Sequence, residues 1–365
     1  MDPRDTKLAE MLVNYCVAVQ PGENVLIQTM DDVATPLVTE LVKAVYKAKG
    51  NPFVYLENAK VQRVLLMNGN EEQIKIRTEN LYSLLKKMQC SIIIRDFRNA
   101  SELADVPEEI IKLQSKVAQE MRSYRANKLR WVGIRYPGPA IAQLAGMSEE
   151  KYADFLYSTC TMDYQRMSDN MDYLVKRMNA ADKVHIKGEG TDLHFSIKGI
   201  PAIKCDGKMN LPDGEVFTAP VRESVNGYVT FNVPSLYQSK TFENIYFEFK
   251  DGKIVKATCN YEKELNAILD TDEGSRYLGE FSFGCNPLIT KATNDGSIDE
   301  KLACSIHLTP GDSYEEAPNG NHSSIHWDMV LLQTPEYGGG EIWFDDELIR
   351  KDGLFIPEDL KGLNP

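Results

Sequence analysis

Apolar residues recur along the first half of this chain at two spacings that alternate. Across residues 7–19 (KLAEMLVNYCVAV), Leu8, Met11, Leu12 and Tyr15 fall on one helical face, so an amphipathic helix opens the fold. The turn Pro21-Gly22 leads into NVLIQT, a short apolar run typical of a buried strand. Helical spacing returns over residues 35–49, with Pro36 in the first turn and Gly50 as the stop. PFVYLE supplies a second strand, and this β-α-β order predicts a right-handed crossover onto a parallel sheet. Two more helical stretches and the strand candidates SIIIRD and LRWVGIR continue the alternation, which predicts an open α/β domain with helices on both faces. Residues 148–180 read as a mostly helical bridge.

From Lys183 the pattern changes to short strands with tight turns. KVHIKGEGTDLHFSIKG reads as a hairpin pair with Gly188 and Gly190 at the turn. FENIYFEFK and KIVKATCNY flank Asp251-Gly252, which suits a primed turn between alternating strands. The tail, GEIWFDDELIRKDGLFI, repeats that style. The predicted class is α/β: an N-terminal open α/β domain over residues 1–182, followed by a β-rich α+β domain over 183–365.

A length of 365 residues also favours two domains over one core. No apolar window is long enough to span a bilayer, and the opening MDPRDTKLAEML has charges where a signal peptide needs an apolar run, so cytoplasmic residence and no membrane partner are expected. Seven scattered cysteines without a CxxC pair argue against a disulfide scaffold and a cysteine-built zinc site. A formal charge of -13 disfavours nucleic acid, while acidic charge gathered in a cleft would favour cations. The loop after the first strand is Thr29-Met30-Asp31-Asp32 rather than GxGxxG, and there is no Walker lysine, so a nucleotide site is not expected.

The chemistry gathers in CSIHLTPGDSYEEAPNGNHSSIHWDMVLL, residues 304–332, which holds His307, His322 and His326, three of the five histidines. Asp328 follows His326 by two positions, and strand alternation would turn both to one side. Imidazole with carboxylate is a ligand set for zinc, cobalt or manganese. Two more carboxylates stand out by setting. Glu215, in NLPDGEVFTAP, follows a Pro-Asp-Gly turn at the mouth of an apolar strand, and Glu280, in YLGEFSFG, follows a glycine at the start of another. A glutamate that begins a buried strand needs a counter-charge. The plainer alternative is a loop that happens to carry histidines, with two solvated strand-end glutamates.

The ordered set formed by Glu215 in PDGEVFTAP, Glu280 in LGEFSFG, His307 and Tyr314 in HLTPGDSY, and His326 and Asp328 in HWDM resembles the aminopeptidase T / aminopeptidase S family of two-metal exopeptidases. The resemblance covers most of the chain, from LAEMLVNYCVAVQPGENVLI through GTDLHFSIKG to the metal motifs. It implies that Glu215, Glu280, His307, His326 and Asp328 ligate two divalent ions (zinc, cobalt or manganese), with Tyr314 beside or on a metal. The β-rich domain is then the metal-binding one. Independently of that likeness, two ions about 3.5–4 Å apart need roughly five or six protein donors, one of them a bridging carboxylate, and three carboxylates with two histidines are such a set. His322 has no counterpart in the motif and is expected on a loop. Two stretches depart from the family pattern: FSFGCNPLITKATNDGSIDEKLAC, where Asn294, Asp295, Asp299 and Glu300 replace the usual side chains, and the short loop with Asn319-Gly320-Asn321. Both are expected near the substrate side chain.

The implied activity is removal of the N-terminal residue from peptides with a free N-terminus. Glu280 or Glu215 is the candidate general base, and Tyr314 a ligand or an oxyanion donor. The resemblance also implies a homodimer. No GxSxG, HExxH or nucleophilic cysteine motif offers another hydrolytic route. The competing readings are a non-catalytic metal- or small-molecule-binding protein and a two-metal amidohydrolase acting on non-peptide substrates.

Overall fold

Strands that are apolar at nearly every position can only persist where both faces are covered, and the first half of the chain is built from them. The computed structural model describes residues 2–238 and 240–365. The chain folds as two units, one formed by residues 2–162 with Gly207–Pro212 and the other by Asp163–Asp206 with Asp213–Pro365. The helix Tyr164–Ala180 lies within the second unit.

In the first unit the strands run Asn51–Tyr55, Asn24–Thr29, Cys90–Arg95, Arg130–Arg135 and Asn210–Leu211 across one sheet, all pairs parallel. Val25, Leu26 and Ile27 are fully buried in its middle, as are Cys90 and Ile92 next to them. Leu26 packs with Leu81, Leu85, Met88, Met121 and Leu129 from the flanking segments. The strand from PFVYLE lies at the sheet edge, where Phe53 and Val54 remain 38% and 43% exposed. The first helix begins at Pro3, earlier than its apolar spacing predicts, because the Asp2 side chain accepts the Arg4 N–H and caps it. The helix expected over 35–49 spans Thr35–Lys47, and Lys49 turns left-handed (φ 62°) ahead of Gly50. The stretch 148–180 is two helices, Glu149–Cys160 and Tyr164–Ala180. Asp163 ends the continuity by accepting the Arg166 N–H as the cap of the second.

The second unit has two large antiparallel sheets and a two-stranded ribbon, Ser235–Tyr237 with Lys240–Phe242. One holds eight strands and contains both predicted hairpins, Lys183–Gly188 with Thr191–Ser196 and Tyr246–Lys250 with Lys253–Thr258. Asp251 (φ 49°) and Gly252 (φ 84°) both adopt the left-handed conformation that a primed turn demands. The other sheet has five strands in the order Met329–Leu332, Ser305–Pro310, Leu278–Gly284, Glu215–Thr218, Ile203–Cys205. Its four strands from Glu215 onward are buried at every position. Phe281 and Phe283 turn one face toward Phe195 and Phe344 of the larger sheet, with ring centroids 5.1 and 6.0 Å apart. Side chains of the opposite parity, Glu280 and Ser282, share the other face with His307, the cross-strand partner of Ser282, and with Glu215, the partner of Gly284.

Arg350 couples the two sheets. It comes from the strand Glu347–Lys351 of the larger sheet, is 2% exposed, and donates to the carbonyls of Gly353, Ser305 and Gly284. Ser305 and Gly284 end the two strands that carry His307 and Glu280. Charged hydrogen bonds to buried carbonyls are among the stronger single contributions to stability. Arg350→Met is expected to lower unfolding free energy by about 3 kcal/mol, read as a fall in the denaturant midpoint at unchanged slope.

Candidate metal centre

Each candidate ligand is delivered by a backbone feature its neighbours require. Glu215 follows Gly214, whose φ of 137° and close approach to Asn286 (a Cβ would lie 2.9 Å from the Asn286 Cβ) leave no room for a side chain. The Tyr164 hydroxyl accepts from the Asp213 N–H at 2.9 Å and fixes the same turn. Glu280 sits at an irregularity in the pairing of its strand with Ser305–Pro310. Gly311, in the HxxxGxxY spacing, has φ 115° and passes so near Ile325 that a Cβ would lie 2.1 Å from its carbonyl oxygen. That close passage, with the bridge between Gly311 and His326, brings His326 to the strand that holds His307. His326 and Asp328 precede the strand Met329–Leu332 rather than belonging to it.

The five side chains converge. Donor atoms of Glu215, Glu280 and His307 lie within 4.8 Å of one another, as do those of Glu280, His326 and Asp328, so Glu280 belongs to both groups. Glu280 Oε1 is 2.8 Å from His307 Nε2, which is 3.5 Å from Glu215 Oε2. On the other side, His326 Nε2 is 3.5 Å from Glu280 Oε2 and 3.4 Å from Asp328 Oδ1. Ligands held about 2.1 Å from one ion sit roughly 3.0–3.4 Å apart, and these separations lie around that range. Both imidazoles are turned for the task. His307 Nδ1 lies 3.2 Å from the Glu300 carbonyl and His326 Nδ1 2.9 Å from the Asp312 carbonyl; a carbonyl only accepts, so each Nδ1 donates and each Nε2 is left for a ligand role. The Glu280 Oε2 is buried and has no hydrogen-bond partner among the described residues. An acceptor stranded in this way is expected where a cation belongs.

Tyr314 is about half exposed (47%) and its ring lies 4.7 Å from that of His326 and 5.5 Å from that of Phe217. Burial of its hydroxyl, and then the charges of Glu280, Asp328 and Glu215, push its ionisation well above the ordinary tyrosine value, so it acts as a donor. His322 is a loop residue, its side chain 87% exposed and 3.5 Å from Asp312. Asn319 and Asn321 brace the loop between Tyr314 and His326: Asn319 donates to the carbonyls of Pro220 and Leu278, and Asn321 to those of Gly274 and Gly311.

Two further residues reach the site, Glu300 and Lys301. Lys301 is 1% exposed and its ammonium donates to Glu215 Oε1 at 2.6 Å and Glu300 Oε1 at 2.5 Å, with Asp213 at 3.6 Å. Burial alone would lower the Lys301 pKa, but Glu215, Glu300 and Asp213 hold it well above the usual lysine value. The Glu300 carboxyl hydrogen-bonds Asp328. Its pKa is pushed well up by burial, against the pull of Lys301. Without a metal, the histidines take up protons in compensation: burial opposes it, yet the Glu280 contact raises His307 to about 9 and the Asp328 contact raises His326 to about 10. Three carboxylates (Asp213, Glu215, Glu300) face Lys301 and two (Glu280, Asp328) face the histidines, so acid groups outnumber the one lysine and suit divalent cations. A divalent ion would displace the imidazole protons. The residues therefore fit a metal centre. Among the described residues the remaining donor groups are Cys205 with Asp213 and Glu215, whose acids face Lys301, and the hairpin set His185, Asp192, His194.

With this geometry in place, comparison with known proteins becomes decisive. The sequence model described as thermophilic metalloprotease (M29) matches residues 1–339. The chain belongs to that family. Aminopeptidase 2 of Geobacillus stearothermophilus is 26% identical to it, with 96% of this chain and 95% of the relative covered. The solved structure of AmpT from Thermus thermophilus superposes with a TM-score of 0.80 at 22% identity, covering 97% of this chain and 99% of that one. The structure of a 2,5-dihydroxypyridine dioxygenase from Pseudomonas putida also superposes, at 0.62 and 15% identity over 98% of both. At such identities the structural likenesses establish the fold, and a fold hosts more than one chemistry. Membership in the M29 family, with relatives named aminopeptidases, supports metal-dependent hydrolysis at peptide N-termini.

The segment that presents His326 hangs on one carboxylate. Asp272 accepts from the N–H groups of Ser275 (3.0 Å) and Ser324 (2.7 Å) and from the hydroxyls of Ser275, Ser323 and Ser324 at 2.7–2.8 Å. Those bonds, led by the Ser324 N–H, hold its pKa below the ordinary carboxylate range. A depressed folded pKa contributes stability above the unfolded value of about 3.9 that is lost as pH falls through the lower folded value. Asp272→Ala is expected to reduce stability by about 1–2 kcal/mol at pH 7. Urea midpoints of the two proteins should converge as the pH is taken below about 4.

Proposed function

We propose that this protein is an aminopeptidase in which Glu215, Glu280 and His307 would hold one divalent ion and Glu280, His326 and Asp328 a second, with Glu280 common to both sets. The observation that carries this reading is the Glu280 carboxylate, with Oε1 on the His307 side and, on the His326 side, an Oε2 that has no hydrogen-bond partner among the described residues. Zinc, cobalt or manganese suits the donor set, and such ions polarise a scissile carbonyl and lower the pKa of bound water.

The protein's own groups do the rest. Both oxygens of Glu280 face ligand groups; of the two site carboxylates outside both metal sets, Asp213 is buried against Lys301, whereas Glu300 reaches Asp328. In this reading Glu300 takes the proton from the attacking water at its carboxylate and returns it to the leaving amine. Burial pushes its pKa up, which makes its ionised form a stronger base than an exposed glutamate. Tyr314, held protonated, donates its hydroxyl hydrogen to the oxyanion of the tetrahedral intermediate. The free amino group of the substrate would be held by a site carboxylate or by a metal, so the substrates are peptides with an unblocked first residue. The family resemblance adds a second copy of the chain as partner.

Release of the first residue from aminoacyl amides and dipeptides should vanish on dialysis against a chelator and return with a single added cation. N-acetylated substrates should stay intact. Glu280→Gln and Glu300→Gln are each expected to lower kcat by about two to four orders of magnitude, with the fold retained and with metal content lost only in the former. Full activity of Glu300→Gln would return the base to Glu280 or Glu215. Metal binding without turnover on any peptide would favour a non-catalytic binding protein or an amidohydrolase for other substrates.

A further inference from the structure

We propose that Lys301 is a tethered cation that makes the two metal positions unequal, so that the ion held by Glu280, His326 and Asp328 binds first and tightly and the ion held by Glu215, Glu280 and His307 binds second and weakly. This deepens the two-ion reading above and rests on it.

The asymmetry is built into Glu215. Its Oε1 takes a hydrogen bond from the Lys301 ammonium at 2.6 Å, while its Oε2 faces His307 Nε2 at 3.5 Å and the Ser282 hydroxyl at 3.3 Å. One carboxylate is therefore divided between a fixed positive charge and a metal position. The charge has nowhere to go. Lys301 is 1% exposed, its neighbours Ile298 and Leu302 are buried, and its other acceptors, Glu300 and Asp213, lie within the same group. The opposite position has no such competitor: among the described residues the ion pairs of Glu280 and Asp328 are with histidines alone. A cation entering there meets two carboxylates and an imidazole whose proton it displaces to solvent. One entering beside Glu215 meets a ligand already half neutralised and a like charge a few ångströms beyond it, where Coulomb repulsion is weakly screened because water is excluded.

The consequence is regulatory. One ion stays resident at low metal supply, and the second follows the free concentration of the cation, so that activity tracks metal availability. A purely orienting role for Lys301 predicts the opposite response to its removal. If the ammonium serves only to aim Glu215, deleting it weakens the second ion; if it competes as charge, deleting it tightens that ion.

The experiment is calorimetric titration of the chelator-stripped, full-length protein with cobalt or zinc, with bound ions counted by native mass spectrometry. Wild type should show two classes of site at least about tenfold apart in Kd, as expected for a like charge nearby. Asp328→Asn should remove the tight class and Glu215→Gln the weak one. Lys301→Met should tighten the second ion about tenfold and close the gap, and Lys301→Arg should keep it. Equal affinities in wild type, loss of the tight class in Glu215→Gln, or a weaker second ion in Lys301→Met would overturn the proposal. If Lys301→Met does not fold, the wild-type titration and the two ligand variants still decide it. Failure to bind any metal would instead remove the proposed function itself.

Discussion

Charge confined at low dielectric is the constraint from which the rest of the structure follows. Asp213, Glu215 and Glu280 are buried; Asp213, Glu215 and Glu300 crowd a single ammonium, while Glu280 and Asp328 face the histidines. Carboxylates in such a setting must be protonated, paired or bound to cations. The protein supplies one internal cation, Lys301, and two histidines whose Nδ1 atoms are tied to backbone carbonyls. What remains is an acceptor, Glu280 Oε2, with no hydrogen-bond partner among the described residues. Metal binding and folding of this unit are for that reason coupled: cations relieve the repulsion that folding creates.

The surroundings convert that requirement into a fixed geometry. Four strands buried at every position cannot slip register without moving aromatic side chains off Phe195 and Phe344, so Glu215, Glu280 and His307 are held opposite their cross-strand partners. Arg350 clamps the ends of the two central strands, Gly311 lets the His326 segment approach, and Asp272 gathers that segment's amides and hydroxyls. A site supported in this manner needs little rearrangement to take its ions.

Much of this was visible in the chain itself, for physical reasons that differ by element. The parallel sheet follows from apolar runs that alternate with helical spacing, and the Asp251-Gly252 hairpin from a turn few other residue pairs can make. Glu215, Glu280, His307, His326 and Asp328 were singled out because each sits in a short motif with an unusual polar residue inside an apolar run. Glu300 was marked only as a departure from the family pattern near the substrate, and Lys301 escapes such reading altogether. In the stretch DEKLAC they look like any surface charge pair, and only tertiary folding shows the lysine turned inward and sealed. The break at Asp163 inside the 148–180 stretch was hidden because helical spacing resumes directly after it. Asn319 and Asn321, expected to border the substrate, spend their amides on backbone carbonyls, a use that depends on partners far away in sequence.

The central claim is that the Glu280 carboxylate bridges two cations. Anomalous diffraction from crystals soaked at saturating zinc tests it most directly, because it locates the ions without reference to activity. The account predicts two peaks, one beside Glu280 Oε1 with His307 and Glu215 and one beside Glu280 Oε2 with His326 and Asp328. A single peak at full saturation, or peaks that leave Glu280 untouched, would contradict it.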